Sequence, residues 1–170
     1  MRIGILSDSH KKTALTNEAI NHLKSLGCEF LVHAGDLEIV ENLELLKNSG
    51  LIYTSVFGNN DNGLLKYQNE YKINKEPYYF KIKELKFKLM HLPYFMNNDT
   101  DIIFFGHTHH FETKYENGTL YLNPGEVCAR NKQLTECAML EITDSAYKIT
   151  YNFRNPNDII WNKKEITYDR

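Results

Sequence analysis

Asp8 and His10 stand two residues apart in Ser7-Asp8-Ser9-His10, directly after the short run of residues 2–6. Side chains two apart in an extended segment leave the same side of the chain, so both can grip one ion. His107 and His109 repeat that spacing in Gly106-His107-Thr108-His109, after the apolar residues 102–105. Gly35-Asp36, Gly58-Asn59 and His91 each follow an apolar run as well. In a parallel or mixed sheet the loops beyond the strands' carboxyl ends gather such polar groups at one edge. Asp8, His10, Asp36, Asn59, His91, His107 and His109 are therefore expected to converge. Carboxylate, amide and imidazole donors without thiolate suit manganese, iron, zinc or cobalt as divalent ions and do not resemble a structural zinc finger. The bland alternative is that Asp and Asn sit there only as turn and capping residues.

The elements that must position these residues are legible as periodicity. Leu15, Ala19, Ile20, Leu23 and Leu26 recur at helical spacing up to Gly27, and Val40, Leu43 and Leu46 do so up to Gly50. Between and after them lie the apolar runs 30–32 and 51–57. Strand, helix, strand, helix, strand at about 30 residues per unit is the βαβ pattern, which makes these strands parallel. From residue 77 onward the pattern is β-type, over 78–83, 86–90, 102–105, 112–115, 119–122, 138–142 and 147–153, with turn signals at Asn117-Gly118 and Asp144-Ser145. The run 81–88 alternates charged with apolar residues and reads as a half-exposed hairpin.

Asp8-x-His10, Gly35-Asp36, Gly58-Asn59, His91 and Gly106-His107-x-His109, in this order, resemble the calcineurin-like metallophosphoesterase superfamily, and in particular its small single-domain phosphodiesterase branch. Asn123-Pro124-Gly125 extends the likeness. The resemblance implies an α/β fold, a four-layer α/β/β/α sandwich of two facing mixed sheets flanked by helices. It also implies two divalent metal ions per chain, manganese first, with iron, zinc, cobalt or nickel as alternatives. One ion would be held by Asp8, His10, Asp36 and His109, and the other by Asp36, Asn59, His91 and His107, with Asp36 bridging. Two ions about 3.5–4 Å apart clamp phosphate oxygens and acidify a shared water for in-line attack. The implied function is phosphodiester hydrolysis of a small phosphate ester. The alternatives are a phosphomonoesterase, or a non-catalytic scaffold such as the retromer subunit that resembles these enzymes.

The chain departs from the family pattern in places. Many relatives carry Gly-Asn-His-Asp, whose His helps protonate the leaving oxygen; here the string is Gly58-Asn59-Asn60-Asp61. Leu92 follows His91 where relatives place Gly, and Glu126 replaces a frequent Ser without an evident function. Arg130 fits the position of an Arg in many relatives and is a candidate phosphate binder or a salt-bridge partner. Tyr94 and Phe95 are candidates for core or for a substrate wall. His33 reads as a core or supporting histidine, His22 as part of a solvated helix face, and His110 as pointing away from the ions.

Composition narrows the partners. Forty-two per cent apolar and 25% charged residues in 170 suit one packed domain, here residues 1–154, with 155–170 as an extension packed on it or on a second subunit. Twenty basic against 22 acidic residues, with no basic block, disfavour extended nucleic acid. The early Asp8 and His10 leave no room for a secretion signal and no apolar run suits a membrane, so a cytoplasmic protein is expected. A homo-oligomer is left open. Cys28, Cys128 and Cys137 are widely spaced and read as small core residues.

Overall fold

The computed structural model describes residues 1–170. The first half runs β1 (Arg2–Leu6), α1 (Thr13–Ser25), β2 (Phe30–His33), α2 (Val40–Asn48), β3 (Ile52–Val56), a 3₁₀ helix (Asn62–Tyr67) and β4 (Ile73–Asn74). The second half is β5 (Tyr78–Ile82), β6 (Leu85–Leu89), β7 (Ile102–Phe104), β8 (Phe111–Glu116), β9 (Thr119–Pro124), β10 (Thr135–Ile142), β11 (Ala146–Arg154) and β12 (Asn162–Asp169). They form two mixed sheets, ordered β12-β11-β10-β1-β2-β3-β4 and β5-β6-β7-β9-β8. As the βαβ pattern predicts, β1, β2, β3 and β4 are parallel neighbours, while β10 joins β1 antiparallel.

Alternation along the strands decides which residues go where. Ile3, Ile5 and Val32 face Phe87, Leu89, Phe104 and Leu120 across the core between the sheets. Leu6 and Leu31 point the other way, onto Ala19, Ile20 and Leu23 of α1 and Leu43 and Leu46 of α2. Helices thus cover the seven-stranded sheet. The outer layer of the five-stranded sheet is the irregular segment 92–99, whose Met96 packs on Met90, Ile103, Phe105 and Tyr121. Pro93 and the run Asn97-Asn98-Asp99 give that crossover no helical period.

Lys88 anchors this layer. Its Nζ donates to Phe95 O at 3.0 Å and to Asn97 O and Oδ1 at 2.9 Å, and it pairs with Asp99. The hairpin of β5 and β6 forms as its alternation predicts, but Lys88 is wholly buried because β6 lies inside the sheet.

The tail is an edge strand: β12 pairs with β11 from Asn162↔Phe153 to Asp169↔Ala146. Of the cluster Ile159-Ile160-Trp161, only Trp161 packs on the body. Its ring stacks on His22 at 4.5 Å, under the Arg154 guanidinium at 5.0 Å, whereas Ile159 and Ile160 are exposed. His22 is consequently half-buried and bonded to Asn152 Oδ1 at 3.0 Å, a correction to the solvated face expected from sequence. All three cysteines are buried and free, and no helix is long and apolar enough to cross a membrane.

Candidate metal centre

Register brings the loops together. Leu6, His33 and Ser55 lie level at the carboxyl ends of β1, β2 and β3, and Leu89 and Phe104 lie level on β6 and β7. The loops are stitched by backbone bonds, Asp8 N to Gly35 O at 3.0 Å, His10 N to Asp36 O at 2.8 Å and Gly106 N to His91 O at 3.2 Å. His107 N donates to Asp8 Oδ2 at 3.1 Å and joins the two sheets.

The pairs Asp8/His10 and His107/His109 are not extended, as the spacing argument assumed. Asp8, His10, Asp36, His107 and His109 have φ of 53°, 47°, 59°, 69° and 60°, in the left-handed region. Such strain in non-glycine residues persists where the surroundings over-determine it, typically at functional sites. Two glycines make the approach possible. A Cβ at Gly58 would lie 2.2 Å from Asp36 Oδ1, and one at Gly106 would lie 2.0 Å from Ser7 Oγ.

All seven donors form one connected cluster. Asp8 Oδ1 is 3.2 Å from His109 Nε2, and Asp36 Oδ2 is 3.9 Å from His10 Nε2 and 3.4 Å from His91 Nε2. Asn59 Oδ1 lies 3.0 Å from His91 Nε2 and 3.1 Å from His107 Nδ1. Asp8, His10, Asp36, His91 and His109 are buried, while Asn59 and His107 face solvent.

The electrostatics call for cations. Burial pushes the Asp8 carboxyl above its usual range, against the opposing pull of His91, Ser7 and His109. Burial acts on Asp36 in the same sense, but the His91 bond and charge and the two N–H donors of Asn60 outweigh it and hold its carboxyl low. His91, although buried, is raised to about 9 by Asp36 and Asp8. A proton on His91 thus serves the two carboxylates in the role a metal cation would fill. Asp8 Oδ1 and His10 Nε2 are buried with no hydrogen-bond partner. Buried polar atoms normally have partners, so two such donors in one cluster fit a cation between them.

Residues around the cluster hold the imidazoles. His109 Nδ1 is bonded to Glu126 Oε2 at 2.5 Å, His10 Nδ1 to Glu38 Oε1 at 2.6 Å and His91 Nδ1 to Ala34 O at 2.8 Å. Each bond leaves Nε2 turned to the cluster, the arrangement that orients metal-binding histidines. Sequence reasoning passed over Glu38 and found no role for Glu126; carboxylates two residues after Asp36 and directly after Asn123-Pro124-Gly125 were the available signals. Glu126 is lowered to about 2, since the His109 bond and the Lys132 and Asn131 amides overcome its burial. His33, as expected, is a buried supporting residue bonded to Ser9 Oγ at 2.7 Å. Asp61 receives the amides of Asp36, Glu38 and Gly58 at 2.9, 2.6 and 2.7 Å and closes the turns around the site. Asn60 donates to Asp36 Oδ1 and Oδ2 from its backbone and side chain at 2.9 and 2.6 Å.

The remaining candidates lie around this cluster. Cys128 stands near His10 and His109, but its thiol is pushed up to about 12 by burial and lies 3.4 Å from Glu126 Oε2. Tyr94 and Phe95 are exposed rather than core, and His110 is exposed. Arg130 is exposed and forms no salt bridge.

Comparison with known proteins bears on the family and the fold. The sequence model of the calcineurin-like phosphoesterase superfamily domain matches residues 1–145. A phosphodiesterase of Methanocaldococcus jannaschii is 27% identical over 164 residues, covering 87% of this chain and 97% of that one. Vps29 of Entamoeba histolytica superposes with a TM-score of 0.77 at 23% identity over 99% of both chains. A predicted phosphoesterase of Streptococcus pneumoniae does so with 0.73 at 21% identity, over 99% of this chain and 97% of that one.

Proposed function

The chain belongs to the calcineurin-like phosphoesterase superfamily, and from that membership we propose a metal-dependent phosphodiesterase that works with two divalent ions. Asp8, His10, Asp36 and His109 would hold one ion, and Asp36, Asn59, His91 and His107 the other. One observation carries this reading: Asp8 Oδ1 and His10 Nε2 are buried in the donor cluster without a hydrogen-bond partner. Burying unpaired polar atoms is costly unless something binds there, which favours a cation at this cluster.

When bound, the ions would supply polarisation of the phosphoryl oxygens and acidification of a water for in-line attack. The protein's own part is orientation. Glu126 and Glu38 fix the ring planes of His109 and His10, and the Ala34 carbonyl fixes His91. Asn60 keeps Asp36 in place through two bonds. The all oxygen-and-nitrogen donor set suits manganese, iron, zinc, cobalt or nickel alike, and the family resemblance puts manganese first.

Asn60 also supports a diester over a monoester. It stands where relatives place an acid-supplying His, and an amide does not protonate a leaving alkoxide. With the same leaving group, a monoester dianion reacts through a looser transition state that places more charge on the leaving oxygen, so it needs that proton more than a diester does. The test is kcat/KM of the metal-loaded protein on an aryl phosphodiester and on the matching monoester. The diester is expected to win; a monoester preference of about tenfold, or about 1.4 kcal/mol, overturns the diesterase reading.

A further inference from the structure

A cleft of about 490 Å³ opens beside the donor cluster and shares His10 with it. Lys11, Lys12 and Arg130 line it, with Glu38 as its one carboxylate. Glu38 is already engaged, by His10 Nδ1 at 2.6 Å and Lys11 Nζ at 3.7 Å. Lys12 and Arg130 therefore face the cleft with no acidic partner, beside Lys11, which shares the cleft's one acid with His10, in a chain whose net charge is -2. Such a concentration of one sign against the overall balance attracts an anion to that spot.

The cations sit on fixed backbone. Lys12 is the N-cap of α1, which has no side-chain cap and no acidic residue in its first turn. The positive end of the helix dipole is therefore uncompensated on the same side. Arg130 is carried by a turn pinned at both ends. Val127 N and Cys128 N donate to Ser7 O and Asp8 O at 3.0 and 3.1 Å, and Asn131 N and Lys132 N donate to Glu126 Oε1 at 2.6 and 3.0 Å. Between them Ala129 takes φ of 57°, a left-handed conformation that costs energy in alanine. That turn directs Arg130 into the cleft.

We propose that this cleft is a subsite for a second phosphate group of the substrate, carried on the non-reacting half of the diester and held by Lys11, Lys12 and Arg130. The proposal rests on the diesterase reading and deepens it: the substrate is a phosphodiester of a phosphorylated alcohol, such as a nucleotide bearing a further phosphate on its sugar. The reacting phosphorus would lie at the donor cluster, which adjoins the cleft at His10.

The test uses the metal-loaded protein and two p-nitrophenyl nucleotide esters, with and without a further phosphate on the sugar. The phosphorylated ester should have a kcat/KM at least about tenfold higher, chiefly through KM, and added salt should shrink that advantage. In Lys12→Gln/Arg130→Gln the ratio should fall towards one. Equal kcat/KM for the two esters, or a ratio unchanged in the double variant, overturns the subsite. Hydrolysis of the plain ester reports on the diesterase reading separately. If neither ester is turned over, calorimetry with the corresponding nucleoside bisphosphate decides: tighter binding to wild type than to the double variant sustains the subsite, and equal binding overturns it.

Discussion

His109 Nδ1 lies 2.5 Å from Glu126 Oε2, inside the protein. The bond raises the basicity of His109, with burial opposing it, and leaves Nε2 facing Asp8. Glu126→Ala removes the acceptor, and Glu126→Gln keeps an oxygen while removing the charge. Loss of such an orienting partner typically costs about 10–100-fold in metal affinity. Chelator competition should show that loss in the Ala variant and a smaller one in the Gln variant. Wild-type affinity in both would take Glu126 out of this role.

Asp36 Oδ2 faces both His10 Nε2, at 3.9 Å, and His91 Nε2, at 3.4 Å. Asp36→Asn removes the charge proposed to bridge the two ions, and metal analysis should find at least one ion fewer per chain together with loss of phosphoesterase activity. His91→Ala should weaken only the ion shared with Asn59 and His107. Unchanged metal content in Asp36→Asn, or equal loss at both sites in His91→Ala, contradicts the assignment.

The pH dependence of the metal-free protein follows from the same groups. His91, raised to about 9 from 6.5, adds stability that is present below pH 6.5 and is lost as pH rises through about 9. The raised Asp8 and His109 act in the same direction. Asp36 and Glu126 are lowered from 3.8 and 4.5, so their contribution is present above those values and is lost as pH falls further. His33, lowered to about 3 by burial, adds stability that is complete only above pH 6.5 and is lost as pH falls. Thermal unfolding without metal should therefore be latest at about pH 6.5 and earlier at about pH 4.5 and about pH 9.5. Metal binding at neutral pH must displace the His91 proton, which calorimetry in buffers of different ionisation enthalpy reads as proton release.

Asn60 holds Asp36 through both its amides. Asn60→His exchanges the side-chain bond for an imidazole able to donate a proton. Monoester turnover should rise relative to diester turnover, narrowing the ratio of their kcat/KM values at saturating metal. A ratio that stays fixed would mean that the missing acid does not set the preference.

Lys88 binds the segment 92–99 from beneath. Lys88→Met leaves the volume nearly filled but strands carbonyls that lose their donor, a change worth about 1–3 kcal/mol in urea unfolding. Amide exchange should accelerate first in that segment, and unchanged exchange there would show that its apolar contacts suffice.

The βαβ half was legible because Leu15, Ala19, Ile20 and Leu23 repeat at helical spacing and the parallel strands between helices are continuous apolar runs. The convergence of the seven donors followed from their places after strands, although the left-handed conformation of Asp8 and His10 was not visible in a spacing that also fits an extended chain. β12 was missed because its sequence, Asn162-Lys163-Lys164-Glu165-Ile166-Thr167-Tyr168-Asp169, carries only two large apolar residues on an edge strand mostly open to water. Glu38 and Glu126 were missed for a different reason. Their roles depend on which ring nitrogen they meet, a relation across the fold that no local pattern encodes.

The five left-handed aspartates and histidines make the edge that carries the donor cluster the place where this chain is least at ease. Glycine would adopt those angles freely, so at these positions the backbone and the chemistry favour different residues. A lineage that kept the fold only for assembly would be released from that conflict. Its first traces of retirement should appear at positions 8, 10, 36, 107 and 109, before any layer of the sandwich changes.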